Sequence, residues 1–225
     1  MTPPSSPDPE SGPPARPATG RRRPDAVPAF STGCLDDVRP GSLLVAMPNL
    51  TDPTFAGTVV FVLDHNDSGT LGVVLGRPSQ VEIRDVLPGW CDLAVDPGVF
   101  HVGGPCETDT ALCLAVCDAA VCGAAPGEDS GLRRVAGEVH LVDLDADPDD
   151  LVGRVRGLRV FAGYAGWSPG QLAVEVGEGA WACVPGSADD VLSELAGPEL
   201  WRRVMGRQTG RLAVLSTAPA DPSTN

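Results

Sequence analysis

Residues 58–75 read TVVFVLDHNDSGTLGVVL, and this stretch decides the fold. Thr58-Val-Val-Phe-Val-Leu63 is a continuous β-branched and aromatic run, and Thr70-Leu-Gly-Val-Val-Leu75 repeats its character. Runs without polar alternation predict strands buried on both faces. Between them lies Asp64-His-Asn-Asp-Ser-Gly69, a short loop rich in Asx and Gly. Two such strands joined by so short a loop make a hairpin.

Working outward, Gly41–Ala46 reads as a strand and Pro48–Pro53 as a loop. On the other side, Arg77-Pro78 ends the hairpin, Ile83–Leu87 predicts a short helix, and Val99–Val102 a strand running into Gly103-Gly104-Pro105. Leu112–Val116 and Val139–Val142 predict further strands, separated by the polar, Gly-rich stretch 123–131. A helix is expected from Asp147-Pro148 to Arg156-Gly157, with Asp at N-cap, Pro at N1 and a basic, Gly-terminated end. Leu158–Ala162 predicts a strand leading into a turn over Gly163–Trp167. Ser168-Pro169-Gly170-Gln171 then opens a helix, with Ser168 as cap and Gln171 closing a capping box. Trp181–Val184 predicts a strand. Two last helices start at Ser187 and Pro198, where Val191/Leu195 and Leu200/Val204 form i,i+4 pairs. Strands interrupted by short helices, without strict alternation, predict a single α+β domain on a mixed or antiparallel sheet.

The ends differ from this body. Residues 1–38 and 217–225 are rich in Pro, Ser, Gly and charge, and have too little apolar surface to offset the entropy of ordering. They are expected to be disordered tails around a domain spanning 39–216, so deleting 1–38 is expected to leave the fold intact. Arg21-Arg22-Arg23 is followed by Pro24 and Asp25 rather than an apolar run, which argues against an export signal. No run approaches the roughly 18 apolar residues of a membrane span, so a cytoplasmic location is expected.

Charge and cysteine usage narrow the chemistry. The chain carries a net charge of −14 and no Lys, and its five Arg and five acids up to residue 40 cancel, so the body holds the negative charge. Such a body repels phosphate backbones, and direct binding of duplex DNA is not expected. The best objection is Arg202, Arg203 and Arg207 on one predicted helix. The seven cysteines form no C-x-x-C pair and read as structural thiols in a reducing compartment. His65, His101 and His140 match no metal spacing, so neither metal nor cofactor is expected.

Four segments in order, Asp52-Pro-Thr-Phe55, Leu75-Gly-Arg-Pro78, Gly103-Gly-Pro105 and Gly163-Tyr-Ala-Gly-Trp-Ser-Pro-Gly-Gln-Leu172, resemble the YqgE/AlgH family of bacterial proteins over roughly residues 40–206. The resemblance implies a strongly curved, partly barrel-like sheet flanked by short helices. It implies little about activity, because the family is largely uncharacterised and its transcriptional-regulator label rests on one member's name. Three departures stand out: Gly76 replaces the family's usual Asn, Cys106 its usual Val, and the acid expected soon after Leu172 comes only at Glu175.

The candidate surface comprises Arg77, Gly103, Gly104, Pro105, Gly163, Tyr164, Gly166, Trp167, Ser168 and Gln171. Arg77 sits between Gly and Pro, where a fixed backbone aims its guanidinium at a carboxylate or phosphate, or at one of the chain's own acids. The amides of Ser168–Gln171 open a helix, an arrangement that binds anions, with Tyr164 or Trp167 as a wall; a tight turn with inward aromatics is the competing reading. Three function classes follow: a binding or regulatory protein acting on a protein or small molecule, an enzyme of unrecognised type using Arg77 and the 163–171 loop, and a DNA-binding regulator. No catalytic motif is present, which favours the first. The turn reading further predicts that Gly166→Val harms folding more than Trp90→Ala.

Overall fold

The computed structural model describes residues 35–117 and 131–217, and within them ten strands, numbered in chain order, form one sheet. Its main path runs β10 (Trp181–Pro185), β1 (Ser42–Ala46), β2 (Val59–Asn66), β3 (Gly69–Leu75), β9 (Val155–Trp167), β6 (Cys106–Cys117), β8 (Val139–Val142), β7 (Leu132–Ala136). Off this path, β4 (Pro78–Glu82) pairs with β5 (Val99–Val102), and β5 lies parallel to β9; every other strand pair is antiparallel. The two ends of the path approach each other, since a Cβ placed on Gly41 ahead of β1 would lie 2.4 Å from the Ala136 Cβ at the end of β7. The sheet is therefore a curled half-barrel.

Alternation along the strands shows why β1–β3 are continuously apolar. Leu43, Val45, Phe61, Val73 and Leu75 face the inside of the curl, where Leu200, Val204 and Met205 of a helix, Gly197–Gly206, fill the space. Leu44, Val60, Val62 and Val74 face outward onto a second apolar cluster with Leu172 and Val176 of the helix Gln171–Gly177. Neither face meets water, so neither can carry polar residues. The outer faces of β6 and β9 (Cys113, Ala115, Leu158, Val160) are covered by Ile83, Trp90 and Leu151, which form a third cluster.

The hairpin is tighter than its sequence predicts. β2 and β3 pair through Asn66↔Gly69, leaving Asp67-Ser68 as the turn, and a bulge between Val62 and Asp64 absorbs the odd residue. Ile83–Val86 is the expected short helix. The helix expected from Asp147 is a single 3-10 turn, Pro148–Leu151: the Asp147 carboxylate does accept the Asp149 amide at 3.0 Å, but Val155 already begins β9. Leu195 lies beyond the short helix Ala188–Val191, so the Val191/Leu195 pair is not helical. Strands β4 and β7 and the helix Arg211–Leu215 are additions to the expected elements. Val38 is buried and Leu35 packs against the second cluster, so a deletion through residue 38 would remove core contacts. Residues 1–34, 118–130 (and with them most of the Gly-rich stretch 123–131) and 218–225 lie outside the described residues.

Helix Ala188–Val191 is anchored by a buried acid. Ser187 donates its amide and hydroxyl to Asp190, and Arg207 donates to both Asp190 oxygens at 2.7 Å. Burial alone would raise this carboxyl, yet Arg207 and Ser187 outweigh it and hold Asp190 below the ordinary carboxylate range.

Candidate functional site

The stretch Gly163–Trp167 is not a turn but the end of β9, where Thr70, Leu71 and Gly72 of β3 pair with Trp167, Gly166 and Ala165. On its other side Cys106 pairs with Tyr164, and the register then breaks until Ala111↔Ala162. Gly163, at φ 70, marks this break. Glu107 within it is the one described non-glycine residue at positive φ, 44.

The Gly103–Gly104 segment and β9 do meet. A Cβ on Gly103 would lie 2.2 Å from the Gly163 carbonyl oxygen, and one on Gly104 2.2 Å from the Tyr164 carbonyl. These glycines serve a backbone crossing, and the Gly103 amide donates to Ala162 O at 2.8 Å while its carbonyl accepts from Val74. Pro105 then turns the chain into β6.

Among the described residues Arg77 pairs with no acid. Its guanidinium donates to the Thr54 and Pro53 carbonyls at 2.6 and 3.2 Å, pinning the loop that carries Phe55. Phe55 closes an aromatic triad with Trp167 and Trp181, ring centroids 5.6–6.0 Å apart. Trp167 is buried, and its indole N–H and that of Trp181 both donate to Glu175, at 2.9 and 2.8 Å. Glu175, noticed in the sequence only as a late acid, is the hub of this end of the fold.

Several amides at the start of the helix Gln171–Gly177 are already engaged. The helix begins at Gln171 after Gly170 (φ 76), Ser168 makes no side-chain cap, and the Ser168 amide donates to Gln171 Oε1 at 3.1 Å. The Gln171 and Val174 amides also bond within the turn. What remains at this end is a shallow groove of about 500 Å³, lined by Asp64, Asn66, Ser68, Thr70, Cys106, Tyr164, Gly166, Trp167 and Ser168 among others. Among the described residues no basic side chain lines it. Glu107 lies beside Tyr164 and raises its phenol above the ordinary value. Cys106, read from sequence as structural, is a half-exposed free thiol in this groove; Cys113, Cys117 and Cys183 are buried. Four of the ten sequence candidates (Tyr164, Gly166, Trp167, Ser168) line it, and Arg77 does not.

The three histidines are dispersed. His65 bonds Thr70 Oγ1 at 2.7 Å, His140 is buried on β8, and His101 is buried on β5. Among the described residues no three metal-ligating side chains gather. His101 Nδ1 donates to Val99 O, and its Nε2 accepts from the buried Arg159, which also donates to the Asp96 and Leu192 carbonyls. This arrangement requires neutral imidazole. Burial first, then the Arg159 charge, lower His101 to about 4, and burial lowers Arg159 to about 10.

An acid-sensitivity follows. The unfolded imidazole titrates near 6.5, so the contribution is complete above that value and is lost as pH falls from about 6.5 towards 4, amounting to about 3 kcal/mol. Urea unfolding at pH 7, 6, 5 and 4.5 is expected to show this slope in the wild type and a flatter one in His101→Gln, whose amide oxygen still accepts from Arg159. Equal slopes would remove His101 from the account.

Comparison with known proteins agrees with this architecture. A family model described as AlgH-like matches residues 43–213. A UPF0301 protein of Streptomyces coelicolor is 52% identical over 188 residues, covering 82% of this chain and 94% of the relative. A UPF0301 protein of Mycobacterium marinum is 47% identical, covering 84% and 92%. The crystal structure of protein DIP2367 from Corynebacterium diphtheriae superimposes with a TM-score of 0.74 at 33% identity, covering 80% of this chain and 93% of that one. The solution structure of AlgH from Pseudomonas aeruginosa shares the fold, with a TM-score of 0.55 at 23% identity over 88% and 100% of the two chains. Among the described residues no helix is long and apolar enough to cross a membrane. With its match spanning nearly the whole sheet and its helices, the chain belongs to the AlgH-like family.

Proposed function

We propose that this chain is a cytoplasmic binding protein whose site is the groove at the end of β3 and β9, and that its ligand presents a cationic group. The observation that carries the reading is the lining: a tyrosine ring, the Asp64 carboxylate and several neutral acceptors, with Glu107 beside Tyr164 and, among the described residues, no guanidinium. A guanidinium or ammonium placed there gains an aromatic face and charge-assisted hydrogen bonds together. The enzyme reading loses its main support because Arg77 is engaged by the Pro53 and Thr54 carbonyls. Any regulatory role would run through a protein or small-molecule ligand of this groove. Arg203 and Arg207, the strongest basic pair for DNA, are both held by Asp190.

Calorimetric titration of the full chain with an acetylated tri-arginine amide, a tri-glutamate amide and a duplex DNA at about 150 mM salt tests this. Binding of the cationic peptide alone is expected, weakened about five-fold or more by Asp64→Asn and by Tyr164→Ala. Equal binding of the anionic peptide, or DNA binding tighter than about 10⁻⁷ M, would refute it.

A further inference from the structure

We propose that the seam of the half-barrel holds a second site, which binds a free α-amino acid with an apolar side chain. The two ends of the sheet approach each other at Gly41 and Ala136, and two cavities share that approach as lining. One, of about 370 Å³, is also lined by Asp37, Arg39, Ser42 and Cys183. The other, of about 270 Å³, is also lined by Phe61, Val139 and Ala188. Gly41, Ala136 and Gly186 belong to both, so the cavities adjoin across a floor of small residues.

The first cavity joins charges of opposite sign, unlike the groove beside Tyr164. Asp37 ends the 3-10 turn Leu35–Asp37, and Arg39 follows two residues later. Ser42 fixes the Arg39 backbone: its hydroxyl donates to the Arg39 carbonyl at 2.7 Å and accepts from the Arg39 amide at 3.2 Å. The Arg39 guanidinium enters none of the ion pairs among the described residues. Both charges reach the Cys183 thiol in the same cavity. Burial first raises that thiol above its ordinary value, Asp37 adds to this, and Ser42 and Arg39 oppose it.

This lining selects its ligand by charge. A plain carboxylate or phosphate is attracted by Arg39 and repelled by Asp37, and a plain amine meets the reverse. An α-amino acid carries ammonium and carboxylate on one carbon and satisfies both. Arg39 donates to the carboxylate and Asp37 accepts from the ammonium. From that carbon the side chain passes over Gly41 and Ala136 towards Phe61 and Val139, residues of the inner apolar cluster. Glu138, the acid of the second cavity, is already held by Arg156 at 3.2 Å, so this end suits an apolar chain rather than a basic one.

Calorimetric titration of the full chain with L-leucine, glycine, N-acetyl-leucine and leucinamide tests each part. L-leucine is expected to bind, and glycine, which leaves the apolar cavity empty, about ten-fold or more weakly. N-acetyl-leucine and leucinamide each lack one charge and are expected to bind about ten-fold or more weakly than leucine. Arg39→Ser is expected to melt like wild type, because Arg39 is exposed, and to weaken leucine by about the same factor. Asp64→Asn, in the groove beside Tyr164, is expected to leave leucine binding unchanged, which separates this site from the one proposed above. In isotopically labelled protein, leucine is expected to shift the backbone amide resonances of Gly41, Ser42 and Gly186 most. No leucine binding by wild type overturns the proposal, as does either blocked leucine binding as tightly as leucine itself. Equal leucine binding by Arg39→Ser and wild type, or the largest shifts at Gly166, overturns it too.

Discussion

Gly104→Ala protein is expected to lose cooperative folding, a cost above about 4 kcal/mol and far outside the usual range for a single methyl group. Gly104 stands at φ 155, and its added Cβ would lie 2.2 Å from the Tyr164 carbonyl carbon and oxygen and 2.4 Å from the Ala165 amide nitrogen. All three obstacles are backbone atoms of β9, held on its far side by β3, so no rotamer change relieves the clash. Gly103 is confined in the same way by Gly163 O at 2.2 Å, and Gly163 by the Cys106 and Gly104 carbonyls at 2.7 and 2.8 Å. Here two backbones cross with no side chain between them, which only glycine permits. Gly98→Ala is the control, since nothing lies within 4 Å of its added Cβ. Circular dichroism and urea unfolding should show Gly98→Ala close to wild type and Gly104→Ala without a cooperative transition. A folded Gly104→Ala protein within about 1 kcal/mol of wild type would mean that β5 and β9 separate freely.

That crossing also explains what the sequence made legible and what it hid. The central hairpin was readable because both faces of β2 and β3 are buried, which forces an unbroken apolar run. Motif glycines at 103, 104 and 163 were recognisable as special, but composition cannot distinguish a tight turn from a strand that another backbone crosses. A period-two signal was present: Phe161, Gly163, Ala165 and Trp167 are buried, while Ala162, Tyr164 and Gly166 are more exposed. Glycine at two of those positions masked it. Strand β4 (PSQVE) is mostly exposed and β7 (LRRVA) buries only Leu132, so no alternating burial pattern marks either. The Arg77 guanidinium is directed at backbone carbonyls more than twenty residues away, not at an acid, and residue types do not reveal such targets. The groove is non-local in the same sense. It draws on residues of β2, β3, β6 and β9, and becomes acidic only when Asp64 of β2 and Glu107 of β6 are brought to the same end of the sheet.

Trp90→Ala is expected to cost about 3–5 kcal/mol, the range for emptying a large buried aromatic site, while Gly166→Val leaves stability within about 0.5 kcal/mol, as for an exposed position. The turn reading of 163–167 predicts the opposite order, and the structure reverses it on both counts. Trp90 is 4% exposed, in the 3-10 turn Pro88–Leu93, and packs in one cluster with Ile83, Phe100, Leu151 and Val160. Leu87, Cys91 and Leu93 beside it already pack against this cluster, so none is free to fill the space an indole leaves beneath the outer faces of β6 and β9. Gly166 has no positive φ; it is exposed on β9, and its added Cβ would meet Tyr164 Cε2 at 3.6 Å and Cys106 Sγ at 3.9 Å, ordinary contact distances. A β-branched residue suits an extended strand. The larger side chain does, however, stand on the floor of the groove between Tyr164 and Cys106. Gly166→Val is therefore expected to unfold like wild type yet lose the tri-arginine probe, separating binding from folding in a single variant. Urea unfolding of both proteins with calorimetric titration of the second checks this: a destabilised Gly166→Val protein would return β9 to a strained turn, and a stable one that binds the probe as wild type does would remove the groove from the binding site.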